Sequence, residues 1–148
     1  MKKSVNKILI AHSSNDLYGA SKILLNLIEF FISEGYEIHL FLPSNGPLNE
    51  NQLIKKCKLN IVELGVFRKK YFNFFGLINR FFFIIKSTFQ IKKLIKECDI
   101  DLVYTNTSTA VSPTFAAYLK NIPSVFHVHE VPSSSKLYTK FLTKIFNF

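Results

Sequence analysis

The chain has 148 residues, 48% of them hydrophobic, with 16 Phe and no Trp, a composition that excludes a disordered chain and supplies the core of one ordinary domain. Basic residues outnumber acidic ones by 19 to 10, leaving a formal charge of +9 that points to anionic partners without naming them. The two cysteines, Cys57 and Cys98, lie far apart, which excludes a disulfide framework or a zinc knuckle and suits a reducing cytosol.

The opening "MKKSVNKILIAH" has too short an apolar run for a secretory signal. Residues 7–14, "KILIAHSS", read as a strand buried on both faces that runs into a polar loop. A helix is expected over residues 20–35. Its apolar positions Ile23, Leu24, Leu27, Ile28, Phe31 and Ile32 recur at three and four, and Gly35 supplies the stop. "YEIHLFLP" is a second strand closed by Pro43, completing a β-α-β unit.

A turn-rich loop follows, then a short helix "QLIKKC" and a third strand at residues 60–65. A long helix is expected from Phe74 to Glu97, with Leu77, Phe81, Ile84, Ile91 and Ile95 on its core stripe. Asn79, Arg80, Lys86, Gln90 and Lys93 lie opposite, and Phe83 falls in the middle of that polar arc. Arg80 and Lys86 also interrupt the apolar run, so no membrane-spanning helix is expected. Residues 68–97 hold eight basic residues (Arg68, Lys69 and Lys70 among them) and one acid. Two readings stand: a solvated helix face, or an interfacial surface on anionic membrane built from Arg80, Phe83, Lys86 and Lys93.

"DLVYTNTS" is a fourth strand, residues 109–122 a small-residue helix, residues 123–130 a fifth strand, and residues 133–148 the start of another helix. The alternation specifies an α/β fold, a doubly wound, mostly parallel, Rossmann-like sheet forming a single domain over residues 1–148. Such sheets bind ligands at the carboxyl ends of their strands. Three polar clusters fall there: residues 13–21, residues 106–108, and His129 with Glu130.

The five glycines are too dispersed for a dinucleotide fingerprint or a P-loop, and no cofactor is expected. No G-x-S-x-G elbow is present. Gly19, at the entry to the first helix, either permits a turn or lets a phosphate or sugar approach the backbone. On a strand, His127 and His129 share a face and Glu130 takes the other. A metal pair would need a third ligand, for which His12 is available, and no metal is expected. His127 suits hydrogen-bonded core, whereas His129 at the strand mouth suits chemistry.

Residues 8–43 resemble the opening of family 4 glycosyltransferases, which have the GT-B fold. "DIDLVYTNTS" and "NIPSVFHVHEV" resemble two later strands of that family, in the same order and spacing. The resemblance implies the N-terminal, acceptor-side half of a retaining enzyme that moves a sugar from a nucleotide-sugar to a glycan or lipid-linked acceptor. It implies catalytic positions at His129 and Glu130, a donor-phosphate region at Gly19, Ala20 and Ser21, and an acceptor region at Asn106, Thr107 and Ser108. The chain departs from the family in having Tyr18 where a first glycine is common. Both a final strand and the donor-binding domain of the family are missing after Phe148. A fragment, inactive alone, is therefore expected, or one half of a split enzyme with its donor domain on a separate chain. The implied place is the cytoplasm, peripheral on the inner membrane face. The alternative is a non-catalytic membrane-surface module on the same sheet. Basic charge without an RNA or DNA motif gives no nucleic-acid partner.

Overall fold

The computed structural model describes residues 5–66, 74–107 and 109–129. Strands β1 (Lys7–Ala11), β2 (Glu37–Leu42), β3 (Lys58–Ile61), β4 (Leu102–Thr105) and β5 (Ser124–Phe126) form one sheet in the order β3-β2-β1-β4-β5. All four pairings are parallel, with Ile8 beside both Ile38 and Leu102. Helices α1 (Gly19–Ser33), α2 (Gln52–Lys55), α3 (Phe74–Glu97) and α4 (Ser112–Lys120) make the crossovers.

Period-two alternation divides the strands between two cores. Ile8, Ile10, Ile38, Leu40 and Leu42 pack with Leu24 and Ile28 of α1 on one face. Leu9, Ala11, Phe41 and Val103 pack with Ile91 and Ile95 of α3 and Ala116 and Ala117 of α4 on the other. A β1 strand buried on both faces is what its continuous apolar run anticipated. Truncating Leu9 or Ile10, both fully buried, to alanine costs about 2–5 kcal/mol by loss of transfer energy plus a cavity.

Helix ends follow local chemistry. Gly35, at φ +84°, closes α1, with the Tyr36 N–H reaching the Phe31 carbonyl at 3.0 Å. Asn121, at φ 52°, closes α4 the same way, through the Ile122 N–H on the Ala117 carbonyl at 3.2 Å. Pro113 sits in the first turn of α4, so that helix starts at Ser112 and not at residue 109.

Several boundaries depart from expectation. β3 begins and ends earlier than residues 60–65, because the ladder stops after the Val62 N–H meets the Leu42 carbonyl and the chain turns at Gly65, φ +58°. β5 ends at Phe126. His127 still donates its N–H to the Thr105 carbonyl at 2.8 Å, but His129 lies beyond the ladder. The loop after β2 holds a 3-10 turn, Pro47–Glu50, pinned because Asn15 accepts from the Leu48 N–H at 2.9 Å and donates to the Ser44 carbonyl at 2.8 Å. Ile23 of α1 is exposed at 43%, against its expected place on the stripe.

The largest departure is in α3. At 1.5 Å per residue its 24 residues span about 36 Å, longer than strands of three to six residues. Its C-terminal half packs on the sheet, while its N-terminal half overhangs the carboxyl edge. Leu77 and Phe81, expected on the core stripe, are 41% and 62% exposed, beside Phe75 and Phe82. Phe83, expected on the polar arc, is instead half-buried under Arg80, whose guanidinium carbon lies 4.8 Å from the ring centre. The tail helix expected at residues 133–148, with Arg68, Lys69 and Lys70, falls outside the described residues.

Candidate active site

The strand order reverses between β1 and β4, so the loops leaving these two neighbours diverge and open a crevice at the carboxyl edge. His12 directly follows β1 and Asn106 directly follows β4, and both are buried. His12 Nδ1 lies 3.2 Å from the Asn106 carbonyl and 3.3 Å from its side-chain nitrogen. His12 Nε2 lies 3.1 Å from Ser21 Oγ and 3.2 Å from Ser14 Oγ. Ser21, in the first turn of α1, donates to Asp16 at 2.9 Å. The Asn106 amide donates to the Ala20 carbonyl at 3.2 Å, and its oxygen faces His129 Nε2 at 3.0 Å. Alongside, Ser13 and Thr107 share a hydrogen bond of 3.0 Å, and Thr107 meets Thr109 at 2.9 Å.

His127 and His129 do share a face, with ring centres 4.1 Å apart. His127 is half-buried and bonded through Nδ1 to the Tyr104 hydroxyl at 2.8 Å, which fits a structural role. Among the described residues no group of three His, Cys, Asp or Glu is placed to hold a metal ion.

Electrostatics follow from burial. Desolvation lowers the pKa of His12, and the nearby His129 adds to this. The Asn106 carbonyl and the Asp16 charge oppose it without prevailing. Burial would raise the Asp16 carboxyl, but hydrogen bonds from the Tyr18 N–H, Ser21 and Ser14 outweigh that and bring it below its ordinary value.

Beside this cluster, toward β2 and β3, lies a cavity of about 290 Å³ lined by Ser13, Ser44, Glu63, Gly65, Arg80 and Phe83 among others. It combines one carboxylate, one guanidinium, hydroxyls and an aromatic ring, a mixture suited to a small polar ligand with an apolar face.

The expected residues fare unevenly. Ser21, Asn106 and His129 join one network, and Ala20 contributes its carbonyl. Thr107 sits at its edge. Gly19 is exposed at the start of α1, and a side chain there would touch nothing within 4 Å. Ser108 and Glu130 fall outside the described residues. Arg80 and Phe83 face the cavity, while Lys86 and Lys93 stand exposed, Lys93 pairing with Glu97 at 3.6 Å. His12 as the hub and Asp16 as the anion were missed. Their signal was position: His12 directly follows the buried run of β1, and Asp16 precedes the first turn of α1.

This crevice on a five-stranded parallel sheet is the architecture of the N-terminal half of GT-B glycosyltransferases. MurG from Acinetobacter baumannii superposes at TM-score 0.66 with 16% identity, over 95% of this chain and 39% of that one. Anabaena Alr3699/HepE, solved with UDP-glucose, superposes at 0.64 with 17% identity over 95% and 35%. The lipopolysaccharide outer core galactosyltransferase WaaB superposes at 0.64 with 14% identity over 93% and 37%. Residues 18–148 match the family described as Glycosyltransferase Family 4, and the chain belongs to that family. A curated relative is 31% identical over 118 residues. It is the Prochlorococcus marinus (strain MIT 9215) UDP-N-acetylglucosamine--N-acetylmuramyl-(pentapeptide) pyrophosphoryl-undecaprenol N-acetylglucosamine transferase. The match covers 79% of this chain and 30% of that relative. Among the described residues no helix is long and apolar enough to cross a membrane.

Proposed function

We propose that the chain forms the acceptor-side half of a glycosyltransferase that moves a sugar from a uridine-diphosphate donor to a lipid-linked or glycan acceptor. The observation that carries this reading is the hydrogen-bonded cluster of His12, Ser21, Asn106 and His129 at the switch-point crevice. Three of its parts follow three different strands and Ser21 lies in the first turn of α1, which is how an open sheet builds a site. Family membership and the names of the relatives supply the substrate class.

In this reading the N–H groups of Gly19 and Ala20 face the donor diphosphate, with Ser21, whose own N–H is taken by the Tyr18 carbonyl at 2.8 Å, beside them. No acidic residue lies within that first turn, and the nearby Asp16 carboxylate is bonded to the Tyr18 N–H and the Ser21 hydroxyl. Asn106, Thr107 and Ser108 line the acceptor side, and the cavity over Phe83, Arg80 and Glu63 takes the acceptor's polar end. His129, with Glu130, orients the transferred sugar by hydrogen bonding its hydroxyls. The expected stereochemistry is retention, which NMR of the product's anomeric carbon reads directly. In this reading these residues supply the acceptor side only, and alone they are expected to transfer no sugar. Radiolabelled sugar transfer by the enzyme that contains both halves tests the site. His129→Ala should lower turnover at least about a hundredfold, whereas near-normal turnover removes His129 from the reaction.

A second reading has its own observation. Phe75, Phe81, Phe82 and Phe89 are more than half exposed on α3, with Lys86 and Lys93 exposed beside them. That pattern suits a surface lying on anionic lipid at the cytoplasmic membrane face, whether or not the chain also serves catalysis.

A further inference from the structure

Three strand exits and one helix enclose the cavity beside the crevice cluster. Ser13, Ser44 and Glu63 each lie just past the end of their strand, β1, β2 and β3, while Arg80 and Phe83 face them from the overhanging half of α3. These walls are fixed by the chain itself. Asn15 ties the first two exits together, donating to the Ser44 carbonyl and to the Asn49 side-chain oxygen, both at 2.8 Å. Gly46 packs so closely on Asn15 that a Cβ there would collide with the Asn15 backbone. Gly65 brings the third exit against α3, since a Cβ there would run into Ser112 and Ser87. The cavity is therefore preformed, as ligand sites commonly are.

Its chemistry narrows the ligand. Glu63 is exposed, and its carboxylate has no hydrogen-bond or ion-pair partner among the described residues, so its lone pairs are available to a ligand's hydroxyls. The Arg80 guanidinium covers the Phe83 ring with its carbon 4.8 Å from the ring centre, which holds an aromatic surface in the wall. A pyranose uses both features: its hydroxyls donate to a carboxylate, and its C–H face lies on an aromatic ring. An anionic ligand would gain from Arg80 but be repelled by Glu63, and a cationic one would meet the reverse, whereas a neutral polyol pays neither penalty. At about 290 Å³ the cavity stands at the small end of ligand clefts, with room for one sugar ring and not a chain of them.

We infer that this cavity is a subsite for one uncharged pyranose of the acceptor, and that Glu63 is its specificity-determining residue. The carboxylate accepts from the sugar's hydroxyls and turns acidic sugars away. The inference rests on the reading of the chain as the acceptor side of a glycosyltransferase, and it gives the overhang of α3 a purpose, because that half of the helix carries Arg80 and Phe83.

Backbone amide shifts of the 148-residue chain test this with no donor and no transfer step. The probes are two matched pairs, methyl β-D-glucopyranoside with methyl β-D-glucuronoside, and methyl β-D-galactopyranoside with methyl β-D-galacturonoside. At least one neutral glycoside should shift Ser44, Glu63 and Gly65. It should saturate at a concentration about fivefold or more below its acidic partner, because the added carboxylate meets that of Glu63. Glu63 is exposed, so Glu63→Gln should fold as the native chain does, and it should bring the two members of the pair within about twofold of each other. An acidic glycoside that binds the native chain as tightly as its neutral partner overturns the inference. So does an unchanged ratio in Glu63→Gln, and so do amides that no neutral glycoside moves. Failure here leaves the His129 transfer assay untouched, and the reverse holds, so the two failures are distinguishable.

Discussion

Asn106 Oδ1 accepts from His129 Nε2 at 3.0 Å while the nitrogen of the same amide donates to the Ala20 carbonyl at 3.2 Å. One buried side chain thus ties the segment after β5 to the first turn of α1. Asn106→Leu keeps the side-chain shape and takes one hydrogen-bond partner from each of Ala20, His12 and His129. Losing the partner of a buried polar group costs about 1–3 kcal/mol, so a loss of about 1–3 kcal/mol is expected. Urea unfolding followed by circular dichroism measures it, and a midpoint within error of the native chain contradicts it.

Gly65 has a specific reason to be glycine. Its φ is +58°, and a Cβ there would run into Ser112 Oγ and lie 2.9 Å from Ser87 Oγ. Those two hydroxyls are themselves bonded at 2.6 Å where α3 packs on α4. Gly65→Ala combines backbone strain with a steric clash and should destabilise by about 2–4 kcal/mol. Gly19→Ala, which meets nothing, should leave the unfolding midpoint nearly unchanged. Equal effects from the two would refute this account of Gly65.

Acid should destabilise the chain in two stages. Burial holds the folded His12 pKa below its ordinary value of 6.5, so the unfolded chain binds more protons there. Its contribution to stability is present above pH 6.5 and declines as pH falls below it. Glu37, held by hydrogen bonds from Lys58 and then His39, titrates at about 2 instead of 4.5. Its contribution is present above 4.5 and is lost as pH falls toward 2. Unfolding free energy measured against pH should therefore fall first below 6.5 and again below 4.5, with the second fall shallower in Lys58→Ala. A flat profile in Lys58→Ala and native chain alike would contradict the Glu37 assignment.

The overhanging face of α3 gives a surface prediction. Phe81 and Phe82 are 62% and 66% exposed, so replacing both with serine should leave folding intact. Binding to anionic vesicles should weaken about tenfold or more, since each buried ring contributes about 1.5–3 kcal/mol. Sedimentation with vesicles reads this, and unchanged partitioning would remove the membrane reading of this face.

The fold was legible because its signals are local. The continuous run of β1, the three-four spacing of α1 and the turn residues between them follow from backbone geometry and burial. Phe81 and Leu77 misled for a physical reason: helical periodicity identifies a face but does not report where the sheet beneath it ends. Strand ends misled similarly. Whether residues 62–65 continue a ladder depends on the neighbouring strand, which ends at Leu42. At the site, His129 and Asn106 could be named from their place after strands. Their pairing could not, because it joins residues 23 apart in the chain. His12 was visible only as a metal candidate. Its role as hub needs the β1–β4 adjacency that the strand order creates.

Our proposal that this domain holds a glycosyl acceptor is tested by amide chemical-shift mapping. A short-chain, soluble polyprenyl-diphosphate-linked sugar should shift Ser13, Glu63, Asn106, Thr107 and His129, saturating at lower concentration than a uridine-diphosphate sugar does. Tighter binding of the nucleotide-sugar, or an acceptor analogue that leaves those amides unmoved, contradicts the account.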